Sequence, residues 1–272
     1  MSSYRLMTFN IAHARGAMPV HQSLWPERQI RANLLKIARL INRLQPDIVA
    51  LQEIDENSRW NGSFDHLAYL QEHTGLTHAV HGVVNRRAGL YPLNYGNAVL
   101  SRHPVHHHET VPFGRGTLGE KGFLYAELAL PEGRLPLLNM HLHHQSRAAR
   151  LRQAGRVMTF LDEQRRHRHP HWAASPVLCG DLNNPSHRPD ATAVLLGYLE
   201  QFENYTLLPK GRPGRSAGTF PSLWPQRALD YVFLPGGCAL TEASVVRSFA
   251  SDHRPVLVSF DLHCRPGPAG RA

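Results

Sequence analysis

A chain of 272 residues with 42% hydrophobic and 19% charged side chains has the apolar content of a folded core and falls outside the disordered class. Thirty Lys plus Arg against 21 Asp plus Glu leave a formal charge of +9, which favours an anionic partner or substrate without naming one. Cys179, Cys238 and Cys264 show no CxxC spacing, and no run of about 18 uncharged apolar residues occurs, so the sequence reads as a soluble, cytoplasmic protein with no disulfide framework, no cysteine zinc site and no membrane span.

Only Lys36, Lys121 and Lys210 are lysines. The arginine excess suits phosphate, because the planar guanidinium donates two parallel hydrogen bonds. A GC-rich coding sequence gives the same bias.

In chain order, Tyr4 to Asn10 reads as a short apolar strand ending in a polar residue. Ile30, Leu34, Ile37, Ile41 and Leu44 recur at spacings of four, three, four and three, which predicts a helix over residues 29–44. Pro46 follows it, and Asp47 to Gln52 (DIVALQ) has the β-branched apolar character of a strand buried on both faces. Further strands are expected at Ala98 to Leu100, Phe123 to Leu130, Leu135 to Met140 and Val177 to Cys179, with a long basic helix over Arg147 to Arg165. Late strands follow at Leu229 to Leu234, Ala243 to Val246 and Val256 to Phe260. No linker or repeat divides this series, so residues 1–263 are expected to form one α/β domain and residues 264–272 a flexible tail.

Polar residues stand repeatedly beside these strands: Asn10, Glu53, His141, Asp181 with Asn183, Asp230, and Asp252 with His253. Each alone has a structural explanation as a cap, a turn former or a surface carboxylate. Together they fit the habit of scaffolds that place reactive groups where strands meet loops. Were Glu53, Asp181, Asp230 and Asp252 to converge, their repulsion would require positive charge nearby. Carboxylates and an amide oxygen suit Mg²⁺ or Mn²⁺ better than zinc. HExxH, P-loop and GxSxG motifs are all absent.

The strings TFN (Thr8 to Asn10), LQEID (Leu51 to Asp55), GNAVLSRHP (Gly96 to Pro104), NMHL (Asn139 to Leu142), GDLNN (Gly180 to Asn184), LDY (Leu229 to Tyr231) and SDHRP (Ser251 to Pro255) together resemble the endonuclease/exonuclease/phosphatase superfamily, in its order and over residues 4–262. That superfamily includes deoxyribonuclease I, abasic-site endonucleases, bacterial sphingomyelinases and inositol-polyphosphate 5-phosphatases. The resemblance implies a deoxyribonuclease I-like, four-layer α/β/β/α sandwich that hydrolyses a phosphate ester with a divalent metal. It implies Glu53 as principal metal ligand, with Asn10 beside it and Asp252 as a further ligand. Asp181 would orient or deprotonate the attacking water, and Asn183 would bind phosphate or position Asp181. Asp230 would orient His253. His141 matches the histidine of the THL element in the deoxyribonuclease and sphingomyelinase branches, where it contacts phosphate or assists the leaving group. Met140 replaces that element's threonine. Ala12 stands where several relatives carry an acid, which weighs against a second metal site.

The expected activity is hydrolysis of a phosphodiester by in-line attack of an activated water. The favoured substrate is nucleic acid, with a phospholipid headgroup or small phosphate ester as the alternative and a monomer as the favoured state. An inactive anion-binding module is a further alternative, disfavoured because binding alone would not require every one of these residues. The histidines at 103 and 106–108 and the run RRHRHPH (165–171) read as solvated features. One face of the basic helix, with Arg147 and Arg150, could track an acidic backbone or simply face solvent. The loop TFPSLWP (Thr219 to Pro225) could hold a base, sugar or glycerol, or fix the strand that follows.

Overall fold

Two successive strand–helix–strand units, each the centre of one sheet, organise the fold. The computed structural model describes residues 2–114, 119–210 and 217–262; the expected tail at 264–272 lies outside them. In the first half, β1 (Ser2–Asn10), α1 (Glu27–Leu44) and β2 (Ile48–Asp55) form a strand–helix–strand unit. In α1, Ile30, Leu34, Ile37 and Ile41 are buried as their spacing requires, and Gln45 closes the helix in a left-handed conformation before Pro46. After α2 (His66–Glu72), β3 (His78–Arg87) and β4 (Leu93–Ser101) add to this sheet. The second half repeats the plan. β5 (Val105–Pro112), β6 (Gly122–Leu130) and β7 (Gly133–His141) lead through α3 (Arg147–Arg168) to β8 (Val177–Asp181). α4 (Ala191–Leu199), β9 (Tyr205–Leu208) and β10 (Asp230–Pro235) follow, and β11 (Cys238–Val245) and β12 (Val256–Leu262) return to the first sheet.

The two six-stranded sheets have the orders β11-β12-β1-β2-β4-β3 and β5-β6-β7-β8-β10-β9. Three apolar clusters define four layers. One, with Leu6, Ala50, Val99, Leu124, Leu137, Val232 and Phe260, fills the space between the sheets. The second packs α1 and α2 on the outer face of the first sheet, and the third packs α3 and α4 on the outer face of the second. The fold is therefore the expected α/β/β/α sandwich. No helix of the described residues is long and apolar enough to cross a membrane.

Candidate active site at the joined strand ends

Strand direction explains why polar side chains from distant segments meet. β1 and β2 run parallel with Asn10 opposite Gln52, and β7 and β8 run parallel with His141 opposite Asp181. Parallel pairs bring their carboxyl ends to one edge. β10 and β12 run antiparallel to their neighbours, so their first residues reach the same edge: Asp230 lies opposite Asp181, and Val256, shortly after Asp252 and His253, lies opposite Thr8.

Local backbone then aims the side chains. The β2–β4 register slips between Gln52 and Ile54, and Glu53 at this bulge has φ +52°. A bulge re-aims one side chain, and a left-handed non-glycine residue costs of order 1–3 kcal/mol that its surroundings must offset. Asn183 is also left-handed, at φ +55°. Gly180, before Asp181, has φ +133°, and a Cβ there would lie 1.9 Å from the Met140 carbonyl oxygen. Only glycine lets β7 and β8 approach this closely. Beneath the rim, Gln52 Nε2 donates to Asn139 Oδ1 at 2.7 Å, and Asn139 Nδ2 donates to the carbonyls of Leu51 and Ala98. This buried amide network ties the two sheets together under Glu53. Asn97 belongs to it, donating to the carbonyls of Gly122 and Asn139.

Asp181 is the hub. Its Oδ1 accepts from the Asn183 backbone N–H at 2.9 Å and its Oδ2 accepts from Asn10 Nδ2 at 2.9 Å. The Nε2 atoms of His141 and His253 stand 3.5 and 3.7 Å from Oδ2. His253 Nδ1 is 2.8 Å from Asp230 Oδ2, while the buried Asp230 Oδ1 has no partner. Ligand atoms of Asp181, Asp230 and His253 lie within 4.8 Å of one another, a group able to hold a metal ion. Glu53 lies beyond His141, with Oε1 3.9 Å from His141 Nε2 and 3.2 Å from Lys121 Nζ.

Charge states follow from this packing. Burial pushes the Asp181 carboxyl up to about 7, reinforced by Asp230 and opposed by His253. Burial lowers His253, but Asp230 and Asp181 outweigh it and lift the imidazole to about 10, so it is protonated at neutral pH. Burial and then the Lys121 ammonium hold His141 well below the usual imidazole range. Lys121 Nζ is 3.3 Å from its Nδ1, and an ammonium can only donate, so the neutral ring carries its hydrogen on Nε2 toward Asp181. Glu53 is buried enough to raise its carboxyl, yet Lys121, His13 and His141 keep it well below the ordinary range.

The structure thus brings Asn10, Glu53, His141, Asp181, Asn183, Asp230 and His253 to one cleft. Asp252 reaches the same rim, but its carboxylate is paired with Arg15. Asn183 turns its side-chain amide to the Leu142 carbonyl and meets Asp181 through its backbone. Four further residues carry no sequence signal of their own. Lys121 is one, Arg15 another. The third and fourth are His13, at φ +53° with Nε2 3.8 Å from Glu53 Oε2, and Asp55, whose Oδ2 sits 2.7 Å from His13 Nδ1. Trp60 Nε1 and Asn61 Nδ2 also donate to Asp55, leaving it fixed behind His13. Asp55 lies within LQEID, where only the glutamate stood out; the others are isolated residues that become neighbours only on folding.

Three arginines of α3 are engaged with the protein itself. Arg147 donates to the Pro189 carbonyl, Arg150 forms a buried pair with Asp190, and Arg156 donates to the Phe113 carbonyl. The TFPSLWP loop does fix the strand after it: Thr219 Oγ1 accepts from the backbone N–H groups of Leu229 and Asp230, and Ser222 N–H donates to the Asp252 carbonyl. Phe220 lies 4.8 Å from the His253 ring, whereas Trp224 is 69% exposed.

Residues 7–253 match the profile of the Endonuclease/Exonuclease/phosphatase family. Among solved structures, an endonuclease/exonuclease/phosphatase from Beutenbergia cavernae superposes with a TM-score of 0.73 at 23% identity, covering 99% of this chain and 74% of that one. A mannosyl-6-phosphatase from Bacteroides thetaiotaomicron gives 0.68 at 13% identity over 95% of this chain and 100% of its own. TDP2 from C. elegans gives 0.64 at 17% identity, with 95% and 75% covered. No curated protein matches by sequence.

Proposed function

Because the chain belongs to the endonuclease/exonuclease/phosphatase family, we propose that it is a divalent-metal-dependent phosphoesterase that hydrolyses a phosphodiester by in-line attack of water, with nucleic acid as the favoured substrate. The observation that carries this reading is the Asp230–His253 pair facing Asp181, which sets a protonated imidazole beside a buried carboxyl of raised pKa. A carboxylate tuned close to neutral pH is suited to receive a proton from the attacking water. In the step, the water oxygen bonds to phosphorus, the ester P–O bond opposite breaks, and Asp181 takes the water proton. His253, held in one tautomer by Asp230, donates to a phosphoryl oxygen as charge builds there, or to the leaving oxygen. His141 adds its Nε2–H, and Asn183 holds Asp181 in place.

The residues fit a hard dication. Asp230 Oδ1 is buried without a partner, and ligand atoms of Asp181, Asp230 and His253 lie within 4.8 Å of one another, so the cleft gathers oxygens that the side chains around them leave partly unsatisfied. Glu53 and Asn10 would hold the ion through oxygen, with Asp252 joining on release from Arg15, a donor set that favours Mg²⁺ or Mn²⁺. Such an ion supplies Lewis acidity to the phosphoryl oxygen and a lowered pKa to bound water.

A side-by-side assay of the magnesium-loaded protein on plasmid DNA, single-stranded RNA, phospholipid vesicles and phosphomonoesters, with Glu53→Ala as the blank, tests the reading. Cleavage of a nucleic acid, absent from the blank, is the expected result. Cleavage of phospholipid or monoester alone replaces the substrate class, and equal activity in the blank overturns the metal-dependent mechanism.

A further inference from the structure

Two sizeable concavities lie outside the cleft, next to the chain segment that enters it. A trough of about 570 Å³ is lined by Lys36, Arg39 and Arg43 of α1 together with Arg247, Phe249 and Ala250. A second, of about 470 Å³, is lined by Leu223, Trp224, Pro225, Arg247 and Arg254. Arg247 lines both, so the two adjoin at its side chain. Their walls contain five cations and no carboxylate. Among the described residues none of these five forms an ion pair. The Lys36 ammonium donates to Asn33 Oδ1 and the Arg254 guanidinium to the Ser222 carbonyl, both uncharged acceptors. Arg254 is lowered by burial and then by repulsion from Arg247, an uncompensated pair of guanidiniums.

The position ties this surface to the proposed reaction. Ala250 borders the first trough and Arg254 the second, and between them Ser251, Asp252 and His253 enter the cleft. Four residues of extended chain reach at most roughly 14 Å, so a ligand in the trough adjoins the site. Lys36, Arg39 and Arg43, spaced by three and four, line one face of α1 as a row about 10 Å long. Phe249, 47% exposed, lies under the Arg247 guanidinium at 5.6 Å, and Trp224 is 69% exposed. A row of cations interleaved with accessible aromatic rings is the pattern that tracks a phosphate backbone while stacking unpaired bases. A base paired in a duplex cannot offer its face to Trp224 or Phe249. A bilayer needs apolar side chains that protrude, whereas these rings line concave walls.

We propose that this basic, aromatic trough seats an unpaired nucleic-acid strand leading to the scissile phosphate. The inference rests on the phosphoesterase reading and names the substrate surface of that site. Fluorescence anisotropy of a labelled 12-nucleotide single strand, with chelator present to prevent cleavage, tests it. The comparison is between the wild-type protein, Arg39→Glu/Arg247→Glu and Trp224→Ala, each also assayed for magnesium-dependent hydrolysis of bis(p-nitrophenyl) phosphate. The charge-reversal variant should bind at least tenfold more weakly and Trp224→Ala several-fold, with hydrolysis of the small diester unchanged. Wild-type affinity should fall roughly 100-fold between 50 and 200 mM salt if five phosphates are contacted. Unchanged strand binding by the charge-reversal variant refutes the proposal. Refutation also follows from equal or tighter binding of a duplex that is indifferent to Trp224→Ala, or from binding to anionic phosphatidylglycerol vesicles but not to the strand. Strand binding lost as described, in a protein that never hydrolyses the small diester, upholds the trough and overturns the phosphoesterase reading instead.

Discussion

Asp181 shows what a buried carboxylate costs its own fold. Its pKa rises on folding to about 7 from about 3.9 in an unfolded chain, so the folded form binds the proton more tightly. Stability linked to that proton is fully present below about pH 4 and is lost as pH climbs through 7. Asp181→Asn should therefore stabilise the metal-free protein at pH 8, on the order of a few kcal/mol, give no gain near pH 4, and abolish hydrolysis. Thermal melts with chelator at the two pH values check this, and a destabilised variant at pH 8 would show that Asp181 is charge-compensated after all. Residues of this kind were legible in the sequence because each abuts a strand within a short string. Lys121, His13 and Arg15 were not, since nothing local distinguishes a lysine before a glycine or a histidine in a loop until folding sets Glu53 or Asp252 beside it.

Among elements, α3 and α4 show how an apparently free charge can be structural. Arg150 and Asp190 are both buried and joined by contacts of 2.5 and 3.2 Å, and Asp190 Oδ1 also caps α4 by accepting from the Ala191 N–H. Burial alone would raise the Asp190 carboxyl, but the Arg150 hydrogen bonds lower it. That contribution is present above the unfolded carboxylate pKa and fades as pH falls through the depressed folded value. Asp190→Ala leaves a buried guanidinium unpaired and the helix uncapped, so chemical denaturation should report a loss of about 3–5 kcal/mol, with Asp190→Asn milder because it keeps a capping oxygen. A loss below about 1 kcal/mol for Asp190→Ala would contradict this account.

The elements that escaped the sequence share a physical cause. β5, VHHHETVP, is a half-exposed edge strand, β3 is the other sheet's edge, and β9 spans four residues. α2 has seven residues, and α4 is apolar over most of its surface, so neither offers a clear amphipathic period. The central parallel strands and their crossover helices were legible because burial on one or both faces dictates their pattern.

For the molecule as a whole, two strand–helix–strand halves press their sheets together so that acids, amides and imidazoles far apart in sequence share one rim, while unpaired cations collect beside it. The most direct test is the rate of bis(p-nitrophenyl) phosphate hydrolysis as Mg²⁺ is titrated into metal-stripped protein, for the wild type and His253→Ala. Activity should appear only with the ion, vanish with chelator, and fall about 1,000-fold in His253→Ala while the folded structure persists. Undiminished turnover in chelator, or in the folded variant, would contradict the account.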